Sequence, residues 1–182
     1  AEFMAASLSA DIDKTDKVQT LIIESVRSGV EVLPPDINVS TFYFSVPGPK
    51  KLRYGLGAIK GIGEKAIDVV LEERLTNGKY LDLYDFCNRM EGHQVNHRAC
   101  DALIGSGAFD CLGEDRGTLD AQLQEAQCAA EQAHDNSRSG QDDMFGLESP
   151  STVKEQHQRI ARWSNTKRLQ REYECLGLYL TG

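Results

Sequence analysis

A chain of 182 residues, 40% hydrophobic and 26% charged, has room for one soluble domain or two small ones. No apolar run approaches the roughly 20 residues of a membrane-spanning helix, so no membrane partner is expected, and a net charge of −8 argues against nucleic-acid binding by the whole surface. Five cysteines, odd in number, widely spaced and without a CxxC pair, point to a reducing, cytoplasmic setting rather than a disulfide framework.

Residues 2–10 are small and apolar and predict a helix. The N-terminus, Ala1-Glu2-Phe3-Met4, has no signal-peptide layout, and both ends read as interior to a longer chain. Thr15 or Asp16 is expected to cap a second helix with Val18, Leu21, Ile22 and Val26 as its apolar stripe, stopped by Gly29. Val30–Leu33 is a short strand candidate halted by Pro34-Pro35. Thr41–Val46 is the best strand by β-branched and aromatic content, with Pro47-Gly48-Pro49 as a loop and Leu52–Tyr54 pairing back as a hairpin.

The centre of the chain is Leu56–Ile67: a short apolar helix, a Gly61-Ile62-Gly63 turn, and a second helix carrying Ala66, Ile67, Val70 and Leu71 at helical spacing. Glycines bracketing one isoleucine suit a tight turn whose backbone comes close to another body. The helix that follows offers free N–H groups to an anion such as phosphate. Lys50, Lys51, Arg53, Lys60 and Lys65 surround this stretch against Glu64 alone. The pattern reads as a helix-hairpin-helix element holding a nucleic-acid backbone, with Lys60, Gly61, Ile62, Gly63 and Lys65 as the contacts. Such contacts go to phosphates and carry little sequence information. The alternative is that the glycines only let two helices pack closely.

The helix after the turn is expected to end near Asn77-Gly78; Asp82 caps the next, built on Leu83, Phe86, Cys87 and Met90, and Asn96 caps another with Ala99, Leu103 and Ile104 inward. Gly105-Ser106-Gly107 precedes a turn and a helix from about Thr118, and reads as a second, degenerate copy of the element, with Gly107 as a further candidate contact. A purely structural turn is the equal alternative there. Thr118–Ala133 is an exposed helix by propensity, and 134–158 reads as a flexible linker. Arg159–Glu174 is expected to form a last helix around Ile160, Trp163 and Leu169, leading into a strand-like Cys175–Leu180. Ten acids against Arg116 and Arg138 make residues 110–148 strongly acidic.

No catalytic constellation stands out. Asp11 and Asp13 suit helix capping, and adjacent Asp142 and Asp143 point to opposite sides of an extended segment. Cys87, His93, His97 and Cys100 match no common zinc spacing, so no metal is expected. The glycines at 55–63 are not followed by Lys-Ser/Thr in P-loop order. Within the linker, Gln141-Asp142-Asp143-Met144-Phe145 offers an amide and two apolar side chains suited to docking a short peptide into a preformed pocket, although a Met-Phe pair could equally cover a gap in the core.

Several stretches together resemble the alpha subunits of bacterial replicative DNA polymerase III. They include Glu2-Phe3-Met4-Ala5-Ala6, Val32–Asn38, Tyr54–Glu64, Leu83-Tyr84-Asp85-Phe86-Cys87, Ser106–Asp110, Asp143–Gly146 and Leu176–Gly182, in that order and close to end to end. The resemblance implies the distal fingers domain over 1–45, a tandem helix-hairpin-helix DNA-binding domain over 46–133, a linker over 134–158, and a helix and strand over 159–182 leading into an oligonucleotide-binding fold beyond the chain. It implies that Gln141, Met144 and Phe145 form the motif that binds the sliding clamp (the beta subunit of the holoenzyme), with Asp142 and Asp143 at its variable positions. Double-stranded DNA and the remaining polymerase domains and holoenzyme subunits are the other implied partners. The family's catalytic carboxylates and magnesium lie outside this chain, so no cofactor is expected in it. The expected fold is therefore mainly α with a small β-element, an α+β arrangement around a tandem helix-hairpin-helix. The expected function is DNA and clamp binding within a replicative DNA-directed polymerase, a nucleotidyltransferase. The alternative, a helix-hairpin-helix repair protein with its own nuclease or lyase activity, calls for clustered carboxylates or an activated lysine.

Overall fold

A computed structural model describes residues 1–93, 95–139 and 162–182. The fold is mainly helical with one small sheet, as the sequence predicts. In chain order it comprises α1 (Glu2–Ala10), α2 (Thr15–Arg27), β1 (Glu31–Leu33), β2 (Ser45–Gly48), β3 (Lys51–Arg53), α3 (Glu64–Asn77), α4 (Leu83–Met90), α5 (His97–Ser106), α6 (Arg116–Ser139) and α7 (Asn165–Leu176), with 3-10 turns at Leu56–Ala58 and Asp110–Leu112. The sheet order is β1-β3-β2, with β1 parallel and β2 antiparallel to the central β3. Leu52 at its centre is fully buried.

Side-chain caps appear where short polar residues precede apolar periods. Asp82 accepts from the Asp85 N–H, Asn96 from Ala99 and Ser164 from Lys167. Gly29 and Gly78 follow α2 and α3 in the left-handed half of φ, which costs a glycine nothing. At α2 the expectation needs correction. Its N-cap is Lys14, with no side-chain cap bond. Val26 faces solvent, while Ser25 takes the inward position and donates its hydroxyl to the Leu21 carbonyl.

Thr41–Phe44 is not a strand. Its carbonyls are taken by the hairpin instead: Leu56 N–H bonds Thr41 O at 2.9 Å and Gly57 N–H bonds Phe42 O at 2.9 Å. Phe42 lies against Gly57, where a Cβ would meet its ring at 2.7 Å, and Gly55 sits so close to the Phe42 carbonyl that a Cβ would stand 2.5 Å from it. Those two glycines are packing glycines. Pro34–Ser40 forms a polar hub: Asn38 bonds both Tyr80 O and Tyr80 N–H, Arg74 donates to Ile37 O, and Ser40 donates to Tyr54 O.

The helical core is laid on an aromatic row, Tyr80–Phe86–Phe109, with successive ring centroids 4.9 Å apart. Helix α6 packs on α4 and α5 through Leu119, Leu123, Ala126 and Ala130, all buried, so it is half-buried rather than exposed. It also runs on to Ser139, which overturns the reading of 134–139 as linker. The last helix starts at Asn165, after Trp163, and extends through Cys175 and Leu176, whose buried side chains complete its inner face against α5; the expected strand at 175–180 is absent. Ile160 lies outside the described residues. The last turn of α7 receives three donors from distant parts of the chain. Lys60 N–H bonds Cys175 O at 2.9 Å, Tyr54 Oη bonds Leu176 O at 3.4 Å, and the Gln19 amide bonds Gly177 O.

Candidate nucleic-acid interface

The first glycine turn has the geometry its sequence promises, although its leading helix is only the three-residue turn Leu56–Ala58. Gly61 has φ +94, a value that an L side chain resists. Ile62 turns inward and lines a cavity of about 10 Å³ with Leu56, Ile67 and Leu103. Ile62 and Ile67 flank the Gly63 N-cap as N′ and N4, so they fasten the turn to the helix as a hydrophobic staple. Ile62 is partly buried, with its side chain packed against the core.

Gly63 bears on the alternative that the glycines serve helix packing. Its backbone is ordinary extended (φ −79, ψ 150), and a Cβ there would meet nothing within 4 Å. Neither strain nor helix packing calls for glycine here. Within the fold, glycine here carries only a modest N-cap preference. Gly63 gives α3 no side-chain cap, and the first bonds into the helix come from Ala66 and Ile67 N–H to Gly63 O. The preceding N–H groups of Glu64 and Lys65 thus lie in the uncapped first turn, with the positive end of the helix dipole behind them.

The charge around the turn is arranged differently from the sequence expectation. Lys51 pairs with Glu31 at 3.2 Å and Arg53 with Asp36 at 3.9 Å, so both are spent on the sheet and the polar hub. Lys50 occupies the turn between β2 and β3. Lys60 and Lys65 stay exposed, and neither pairs with a described acid. Beside them opens a groove of about 430 Å³ walled by Gly61, Gly63, Glu64 and Lys65 on one side and Asn96 and Ala99 on the other.

Arg98 reaches the same place from α5, its Nε 3.8 Å from where a Gly61 Cβ would stand. Sequence reasoning missed this residue. A signal was present: once Asn96 is the cap, Arg98 falls in the first turn of a helix, where the dipole disfavours a cation.

Gly107 does not join this surface. It is buried, with φ +85, and the Arg116 guanidinium occupies the space a Cβ would need. Arg116 donates to Asp110 through Nε at 2.7 Å and Nη2 at 2.6 Å, and through Nη1 to Gly105 O at 3.3 Å. The turn of the second element is thus filled from within.

The zinc-like set is not assembled. Cys87 and Cys100 are buried and share a hydrogen bond, which with burial pushes the Cys87 thiol up, whereas His93 and His97 face solvent. Among the described residues no group of three or more His, Cys, Asp or Glu side chains could hold a metal ion, and no helix is long and apolar enough to cross a membrane. Gln141, Asp142, Asp143, Met144 and Phe145 lie outside the described residues.

The short turn Leu56–Ala58, the glycine loop and α3 make up a helix-hairpin-helix element, and comparison with known proteins agrees. A family model described as helix-hairpin-helix motif matches residues 29–119, and the chain belongs to that family. Over its whole length it is also 44% identical to the DNA polymerase III subunit alpha of Vibrio cholerae, 42% to that of Escherichia coli K12 and 41% to that of Xylella fastidiosa Temecula1. The chain spans 16%, 16% and 15% of those relatives.

Proposed function

We propose that the chain is the DNA- and clamp-binding segment of a bacterial replicative DNA polymerase. The single observation that carries the DNA half is Gly63: a glycine at the mouth of a helix without a side-chain cap, in open space and ordinary backbone, flanked by Lys60 and Lys65, which pair with no described acid. Backbone N–H groups and ammonium charges there suit phosphate oxygens, so the grip is sequence-blind. The names borne by relatives at 41–44% identity favour replication over repair chemistry.

The clamp half rests on the sequence Gln141-Asp142-Asp143-Met144-Phe145 and on those same relatives. Tethering to a ring on the duplex raises the effective concentration of the enzyme at its template, which is processivity without any new contact to DNA. Catalysis and its magnesium belong to parts of the polymerase outside this chain.

Two titrations of the 182-residue chain test both halves. Changing Lys60 and Lys65 together to Glu should weaken duplex binding for every sequence and reduce its salt slope by about two. Changing Met144 and Phe145 together to Ala should abolish binding to the clamp and leave duplex affinity unchanged. Undiminished clamp affinity in that variant would remove the tether, and undiminished duplex affinity in the lysine variant would make the hairpin structural.

A further inference from the structure

Resting on the hairpin reading above, we propose that Arg98 of α5 is a third phosphate-binding residue of the same surface, so that the DNA backbone is gripped from two helices across the groove. Three observations converge on it. Its Nε stands 3.8 Å from the Cβ position of Gly61, beside an exposed turn held by a φ of +94. Its guanidinium is exposed and pairs with no described acid, whereas Arg53, Arg89, Arg116 and Arg171 are each held by an Asp or Glu.

The third observation is electrostatic. Arg98 sits in the first turn of a helix whose dipole repels it, beside a groove whose lining carries Lys65 together with the single carboxylate Glu64. In a chain of net charge −8, a cation in such surroundings is stabilised by an anion from outside. A phosphodiester fits: its two free oxygens match the planar fork of a guanidinium, while the hairpin amides take the backbone from the α3 side. The second glycine turn cannot supply this second grip, because Arg116 fills it. In this protein the partner of the first hairpin is the neighbouring helix start rather than the second hairpin.

The test is fluorescence anisotropy of a labelled duplex with the 182-residue chain across a salt series, with circular dichroism confirming the fold of each variant. Arg98→Ala should lower affinity about threefold to fivefold at low salt, the scale of one exposed charge pair, and flatten the salt slope by about 0.9. Arg98→Lys should keep the slope. An unchanged slope in Arg98→Ala, or the same loss in Arg98→Lys, overturns the proposal. The lysine pair separates the two claims. If Lys60→Glu with Lys65→Glu loses binding while Arg98→Ala does not, the hairpin reading stands and this inference falls. If the wild type does not bind, or neither variant differs from it, both fall together.

Discussion

Gly61 and Gly63 are two residues apart in one loop, and only Gly61 has a conformational reason for being glycine. Gly63→Ala introduces a methyl group into open space at a φ of −79 that alanine adopts freely. The folded state loses about 0.5–1 kcal/mol from the poorer N-cap, and the unfolded chain loses about 0.4–1 kcal/mol of conformational entropy in compensation. The net stability change is therefore within about 0.5 kcal/mol, and the melting temperature moves by about 2 °C or less. Gly61→Ala keeps its surroundings, since the nearest atom to the new Cβ is Ala102 Cβ at 3.6 Å, but it must hold φ near +94 at a cost of about 1–2 kcal/mol. Binding should invert this order. The Gly63 methyl stands where phosphate must approach the amides, and loss of one charge-assisted bond worth about 1.5–3 kcal/mol lowers duplex affinity roughly tenfold to a hundredfold. Urea melts and anisotropy titrations read the two effects separately. A Gly63→Ala variant that is destabilised by more than about 1 kcal/mol, or that binds duplex as well as wild type, refutes the argument.

Arg116→Ala removes the bidentate bond to Asp110 and strips Gly105 O of its donor; with Asp110 partly exposed, we expect a loss of about 1–3 kcal/mol in urea unfolding and an unaltered salt slope for DNA. Burial pushes the Cys175 thiol up to about 11, and burial together with Asp36 does the same to Cys111. Alkylation at pH 8 should therefore mark the exposed Cys128 first and leave Cys175 about a hundredfold slower or more. Equal labelling of the two would contradict the packing of α7. Because the folded Cys175 keeps a proton that the unfolded thiol releases near pH 8.5, its contribution to stability is complete below that pH and declines as pH rises toward 11; a urea midpoint that falls with pH over this window in wild type and less in Cys175→Ala is the expected reading.

Elements set by local rules were legible in the sequence. Asp82 and Asn96 cap helices at the expected residues, Gly29 and Gly78 end them, and the hairpin stands where the glycines put it. What misled was competition from distant partners. Thr41–Phe44 has the composition of a strand, yet its carbonyls are bonded by Leu56 and Gly57, and no local pattern announces that. The polar sequence His134-Asp135-Asn136-Ser137 beyond Ala133 resembles a linker, yet helix α6 persists to Ser139. The basic cluster was over-read because a linear count cannot see that Lys51 and Arg53 already have acids across the sheet. Arg98 was under-read because it lies far from Gly61 in sequence and meets it only when α5 packs beside the turn. Gly107 looked like Gly61 by spacing; the difference is one buried guanidinium.

The bond from Lys60 N–H to the last turn of α7 bears on how cheaply the hairpin can bind. A glycine loop on the surface ordinarily wanders, and closing it on a ligand forfeits about 1–2 kcal/mol of entropy for each residue that is fixed. Here the residue before Gly61 is fastened to α7, the residue after it is stapled by Ile62 into the core, and α7 is itself held by Tyr54 and Gln19. The loop has surrendered its freedom during folding, so the phosphate contact proposed above would cost it little further entropy. A contact that reads no bases, and so collects few bonds at any one position, can release and re-form at each step along a duplex without reordering its own backbone.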